Sequence, residues 1–166
     1  MKTLKILTLF LFCTTIFSCE PDEDTPTPNI DLEAELIIFS VEPTSQFAGN
    51  ATITGIVKNI GDNFSSGSGQ QTILLYERSS GTPTTQLGNL VASLAFTTLS
   101  PDETLEVSYT RPWNSSSPAE GEFPPEYILI ISYDPDLYID GNVNNDDSNH
   151  TNDELIVSGS IINTMF

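Results

Sequence analysis

The chain has 166 residues, room for one domain, and at this size roughly two thirds of the unfolded surface can be buried. Its formal charge of -18, with 23 acidic residues against 5 basic ones, repels the phosphates of nucleic acid and of anionic lipid headgroups, so nucleic acid is excluded as a partner. Both cysteines, Cys13 and Cys19, precede Glu20, which leaves the rest of the chain without a disulfide or a thiol nucleophile.

Lys2 and Lys5 lead into an apolar run from Ile6 to Phe17, and the small residue Ser18 stands before Cys19. This is the pattern of a secretory signal peptide over residues 1–18; the run is too short for a bilayer core that asks for ~20 residues. Its removal leaves three basic residues, Lys58, Arg78 and Arg111. Ile16-Phe17-Ser18-Cys19 resembles the lipobox of bacterial lipoproteins, although Phe17 is bulkier than that family usually places there. The resemblance implies a lipid on Cys19 and attachment to a membrane through it, with several acyl chains giving stable anchoring.

Within residues 19–30, Glu20 to Asn29 carry four acids and three prolines and no hydrophobic side chain to pack beyond the proline rings. An extended, solvated tether is expected. The acidic cluster after Cys19 resembles the surface-export signal of some Gram-negative lipoproteins, which implies the outer membrane and the cell surface.

From Leu32 the pattern becomes short apolar runs separated by Gly, Pro, Ser, Asn and Asp, and the domain is expected over residues 31–166. Leu32, Ala34, Leu36 and Ile38 alternate with Glu33 and Glu35 on a first strand closed by Glu42-Pro43. Ala51, Ile53, Gly55 and Val57 share the inner face of the next, and Asn59-Ile60-Gly61-Asp62 turns the chain. Ile73 and Leu75 point inward on a third strand ending at Glu77-Arg78. Residues 87–96 fit a strand or a short helix, and strand is the choice because the neighbours are strands. A tight turn at Ser100-Pro101-Asp102-Glu103 precedes Leu105, Val107 and Tyr109, which alternate with Thr104, Glu106 and Ser108.

Arg111 to Pro125 contains four prolines and is expected to be irregular. Trp113 and Phe123 within it either fold back as a lid on the sandwich or project to stack on a ligand. Tyr127 to Tyr133 then offers apolar groups to both faces, as a central strand does, and regular pairing is expected to stop at Asp134-Pro135. Leu155, Val157 and Ile161 suggest a final strand. Together these predict an all-β fold, an immunoglobulin-like antiparallel sandwich of about seven strands.

Val57 to Asp62, Leu99 to Glu103, Tyr127 to Asp136 and Asp147 to Asn152 each resemble segments of CARDB domains, the cell-adhesion-related sandwich modules of bacteria, and occur in the same order. The resemblance covers about residues 32–162. It departs in two places, a longer Pro-rich loop before Tyr127 and an acidic loop extended by Leu137 to Asp146.

Asp134, Asp136, Asp140, Asn142, Asn144, Asp146 and Asp147 are hard oxygen ligands of the sort calcium takes, with alternate residues free to converge from Asp140 to Asp146. Asn145 and Thr151 stand where an EF-hand needs Gly and Glu. Such a loop either binds calcium or ties its side chains to its own backbone in Asx-turns. His150 is the sole histidine, and Asp147 and Ser148 beside it in sequence do not make a triad, because loop neighbours rarely converge. The expected function is therefore a surface lipoprotein whose sandwich binds or adheres without catalysis. The alternatives are an accessory ligand-binding subunit of a surface glycan-capture complex, or a spacer; an extracellular protein or glycan is the partner implied.

Overall fold

A computed structural model describes residues 26–134 and 137–166; the signal-like segment, Cys19, Pro135 and Asp136 lie outside the described residues. Among those described, nine strands form: β1 (Leu32–Pro43), β2 (Ala48–Asn59), β3 (Phe64–Ser65), β4 (Gln71–Arg78), β5 (Asn89–Phe96), β6 (Thr98–Leu99), β7 (Thr104–Asn114), β8 (Glu126–Tyr133) and β9 (Glu154–Ser158). They pair antiparallel in a three-stranded sheet β1-β2-β7, a four-stranded sheet β5-β4-β8-β9 and a two-stranded ribbon β3-β6. This is the all-β sandwich expected, with the two-residue strands β3 and β6 added to seven longer ones.

The inner faces follow the alternation of each strand. Ala51, Ile53 and Val57 of β2 are wholly buried against Ile73 and Leu75 of β4 and Tyr127 and Leu129 of β8. Each Ile, Leu or Val side chain among them contributes about 1.5–3 kcal/mol when removed from water. Gly55 lies among them because an added Cβ would stand 2.6 Å from Leu129 Cδ1. β8 is central between β4 and β9, and its outer face also buries Ile128. Residues 89–96 form a strand and not a helix.

Three segments depart from simple alternation. In β1 the register shifts between Ala34 and Leu36, leaving Glu35 as the extra residue of a bulge. Beyond it the faces exchange, so Ile37 is buried whereas Leu36 and Ile38, expected inside, are 45% exposed. The Pro-rich stretch is not irregular from its start: β7 pairs with β2 through Pro112 and Trp113 to Asn114. Pro112 is tolerated because β7 is an edge strand, and the missing N–H falls where no further strand pairs. Finally, β9 ends at Ser158, whose hydroxyl accepts the N–H of Ser160, and Gly159–Met165 winds into a 3-10 helix. Ile161 is therefore half exposed and Ile162 takes the core position.

The turn after β2 and the turn between β6 and β7 meet at one end of the sandwich. Asn59, fully buried, donates from Nδ2 to the carbonyls of Leu99 and Asp62 at 2.7 Å each, and its backbone bonds both Glu103 and Asp102.

Candidate functional site

Two places gather polar side chains, the acidic loop after β8 and a groove beside the end of β7.

The acidic loop is tied to itself. Asp140 Oδ1 accepts the N–H of Asn142 at 2.7 Å, and its Oδ2 accepts from Gln70 Nε2 at 2.9 Å and Asn145 Nδ2 at 3.0 Å. The Asn145 amide, then the Asn142 N–H and Gln70, hold the Asp140 carboxyl below the usual carboxylate range. Asn142 Oδ1 accepts the N–H of Asn144, and its Nδ2 donates to Ser65 O. Asp147 is buried: Oδ1 accepts the N–H of Asn149, while Oδ2 accepts the N–H of Leu32 at 2.9 Å and the Tyr133 hydroxyl at 2.7 Å. These are the Asx bonds weighed against calcium. Asp146 keeps one buried carboxylate oxygen without a protein partner, and Asp134 is engaged through its N–H to Gln70 O at 2.7 Å. No group of three His, Cys, Asp or Glu side chains placed to hold a metal occurs among the described residues, and Asp136 lies outside them.

Beneath the loop, Tyr133 also donates to Asp153 Oδ1 at 3.2 Å. Burial, then the charges of Asp147 and Asp153, push the Tyr133 hydroxyl far above its ordinary value. Burial likewise raises Asp153, although His150 Nδ1, 2.8 Å from Oδ2, opposes the shift. Tyr138, half exposed and 2.8 Å from His150 Nε2, is pushed up to about 12 by burial and then by Asp147, Asp153 and Asp146. His150 therefore pairs with Asp153 and Tyr138, and not with Asp147 and Ser148. The Ser148 hydroxyl donates to Ile30 O at 2.8 Å, so no serine triad assembles.

The groove is built by the unforeseen continuation of β7. Val107, Tyr109, Arg111 and Trp113 share the inner parity, so the last two enter the end of the sandwich from one sheet. Opposite stand Glu77 of β4 and its register partner Tyr127 of β8. Arg111 Nη1 reaches across to Glu77 Oε2 at 3.0 Å and Nη2 to Glu120 Oε1 at 2.6 Å, while the guanidinium lies 5.4 Å from the centre of the Trp113 ring. Burial acts to lower the Arg111 pKa, but the bond and charge of Glu77 outweigh it and hold it above its ordinary value. Glu120 is delivered by a π-helical turn, Pro118–Glu122, capped by Ser117. Glu77 Oε2 also accepts the Tyr127 hydroxyl at 3.0 Å; burial, then the Glu77 charge, raises that hydroxyl far above its usual range.

Trp113 does not project toward solvent. It is 2% exposed, its Nε1 donates to Asn163 Oδ1 at 2.8 Å, and Asn163 Nδ2 in turn donates to Glu120 O at 2.7 Å. Covering the ring follows from its area, and the indole N–H finds its partner in the C-terminal 3-10 helix. An added Cβ at Gly159 would come within 3.0 Å of the ring, so that helix starts on a glycine. Phe123, by contrast, is 60% exposed, held at the end of the π turn by its N–H to Pro118 O at 2.9 Å.

A depression of about 690 Å³ is lined by Thr44, Asn50, Tyr109, Trp113 and Asn114. A second, of about 340 Å³, is lined by Ser79, Ser80, Phe123 and Pro125. Glu77, Arg111 and Glu120 line both. Trp113 and Phe123 stand out in the sequence by residue type, whereas the charged triad between them does not. The available signal was Arg111 itself, at an inward parity position two residues beyond Tyr109.

No protein-family profile matches the chain, and no curated protein matches its sequence. Among solved structures, β-glucosidase 3B from Thermotoga neapolitana in complex with glucose overlaps 80% of this chain and 16% of its own, at 14% identity and a TM-score of 0.33. A β-glucosidase from Paenibacillus barengoltzii overlaps 79% of this chain and 15% of its own, at 14% identity and a TM-score of 0.32. The chain thus spans about a sixth of the length of these enzymes. At such TM-scores the likeness carries no argument.

Proposed function

We propose that this protein is a bacterial lipoprotein, anchored in the outer membrane through a lipid on Cys19 and displayed at the cell surface, whose CARDB-like sandwich binds an extracellular ligand without catalysis. The observation that carries the binding reading is the groove around Glu77, Arg111 and Glu120. Depressions of about 690 and 340 Å³ fall near the size range of ligand sites, and their polar groups are fixed in advance by inter-sheet bonds. Both carboxylates are committed to one guanidinium, an arrangement that suits holding a ligand more than transferring protons to it. The sole histidine is occupied by Asp153 and Tyr138 in a different loop.

Cells producing the full chain, the Cys19→Ser variant or the Phe123→Ala variant separate the parts of this reading. Wild-type protein is expected in the membrane fraction, cut by protease added to intact cells, and able to hold those cells on a mucin-coated surface. Cys19→Ser is expected to release it, and Phe123→Ala to reduce adhesion at equal surface amount. Adhesion indifferent to both changes would contradict the proposal.

A further inference from the structure

The composition of the groove narrows the chemistry of its occupant. We infer that it takes an uncharged, hydroxyl-rich oligosaccharide, with the triad as a hydrogen-bonding saddle and Phe123 as a stacking platform; the inference rests on the binding reading above.

A guanidinium has five N–H donors. Arg111 spends one from Nε on Pro112 O at 3.1 Å, one from Nη1 on Glu77 and one from Nη2 on Glu120, so one donor remains on each terminal nitrogen. Glu77 uses Oε2 for Arg111 and Tyr127, and Oε1 accepts nothing from the described residues. Donors and an acceptor thus stand side by side on groups whose positions are already fixed. A hydroxyl both gives and receives a hydrogen bond, and neighbouring hydroxyls on a sugar ring match such a mixed array. Ser79 and Ser80, both exposed, add hydroxyls along the smaller depression.

Other ligand classes fit less well. An anion would meet two carboxylates for one guanidinium, within a chain carrying 23 acidic residues. A cation would meet the guanidinium at the centre. An apolar ligand would strip water from the triad without replacing its bonds. Glu77, Arg111 and Glu120 line both depressions, so a ligand in either one meets the triad. Phe123, 60% exposed, lines the smaller depression together with Pro125, and the apolar face of a sugar ring stacks on such an aromatic side chain.

The test uses the full-length lipidated chain in a polyoxyethylene detergent, which brings no sugar of its own. Neutral hexasaccharides of glucose, mannose and repeating N-acetyllactosamine, the last a neutral chain that mucin carries, are titrated by calorimetry and by the emission of Trp113, the single tryptophan, beside an oligogalacturonate and a sulfated oligosaccharide of equal length. At least one neutral hexasaccharide is expected to bind at least about ten-fold more tightly than the charged ones. Phe123→Ala is expected to weaken it at least about ten-fold with an unchanged Tm. Ser80→Ala, at an exposed position of the smaller depression, serves as a second variant should Phe123→Ala fold poorly. Tighter binding of the charged oligosaccharides, or binding unmoved by both variants, overturns the inference. So does a panel that stays silent while cells still adhere, in a Phe123-dependent way, to chemically deglycosylated mucin: the module is then a binder of protein. Silence in both assays overturns the binding reading as well.

Discussion

Replacing Arg111 by Met removes the one cation shared by Glu77 and Glu120 while keeping most of the volume of its stem. Side-chain exposures of 22% for Arg111, 17% for Glu77 and 12% for Glu120 place the triad between an interior pair and a surface pair. Breaking a buried pair from one side costs about 3–5 kcal/mol, because a charge is left without compensation, whereas exposed pairs are worth about 0–1 kcal/mol. Two carboxylates are stranded here, and solvent reaches a minority of each, so about 2–3 kcal/mol is expected. For a domain of this size that corresponds to a fall of about 5–10 °C in Tm. Urea unfolding of the full chain, followed by Trp113 emission and by far-UV dichroism, measures it. The double variant Arg111→Met with Glu77→Gln should recover part of the loss, since one stranded charge is gone. A single-variant cost below about 0.5 kcal/mol would refute the reasoning and place the triad among screened surface pairs.

Other outcomes follow from the buried and the acidic groups. Gln71 is fully buried with both amide atoms lacking a protein partner, so Gln71→Met is expected to raise stability by about 1–3 kcal/mol, and a fall would show the amide bonded through internal water. Asp140 is held below its unfolded value, so its contribution is present above about pH 3.9 and lost as pH falls through the lower folded pKa. Asp140→Ala should therefore show a shallower loss of Tm on acidification, and an unchanged acid limb would contradict the assignment. Because Asp140, Asn142 and Asp147 each spend a side-chain oxygen on the N–H two residues on, about 10 mM calcium and magnesium should raise Tm equally, through screening alone. A rise specific to calcium would show that the loop takes the ion after all.

Where the pattern of period two ran unbroken, the fold was legible. Tyr127 to Tyr133 reads as a two-faced central strand and is one, and β2 buries the residues its alternation names. What escaped were events that change parity or end it. The bulge at Glu35 exchanges the faces of β1, and nothing in Glu33-Ala34-Glu35-Leu36 announces it, because either register buries aliphatic groups. Proline at Arg111-Pro112 breaks pairing only where a neighbour needs its N–H, and the edge position that removes that need is a tertiary fact. The groove was half legible for the same reason. Its aromatic residues stood out by type, but Glu77, Arg111 and Glu120 come from β4, β7 and a turn, and only the packing of two sheets brings them together. In the acidic loop composition offered two outcomes, and the Asx geometry is visible once the N–H two residues on from each acceptor is located.

The binding reading is tested most directly by placing a photoreactive benzoylphenylalanine at position 123 of the full chain on living cells, with position 38, exposed on the outer face of β1, as the comparison. Illumination in the presence of mucin is expected to give a covalent adduct from position 123 and none from position 38. Equal capture from both positions, or capture from position 38 alone, would contradict a ligand seated in the groove.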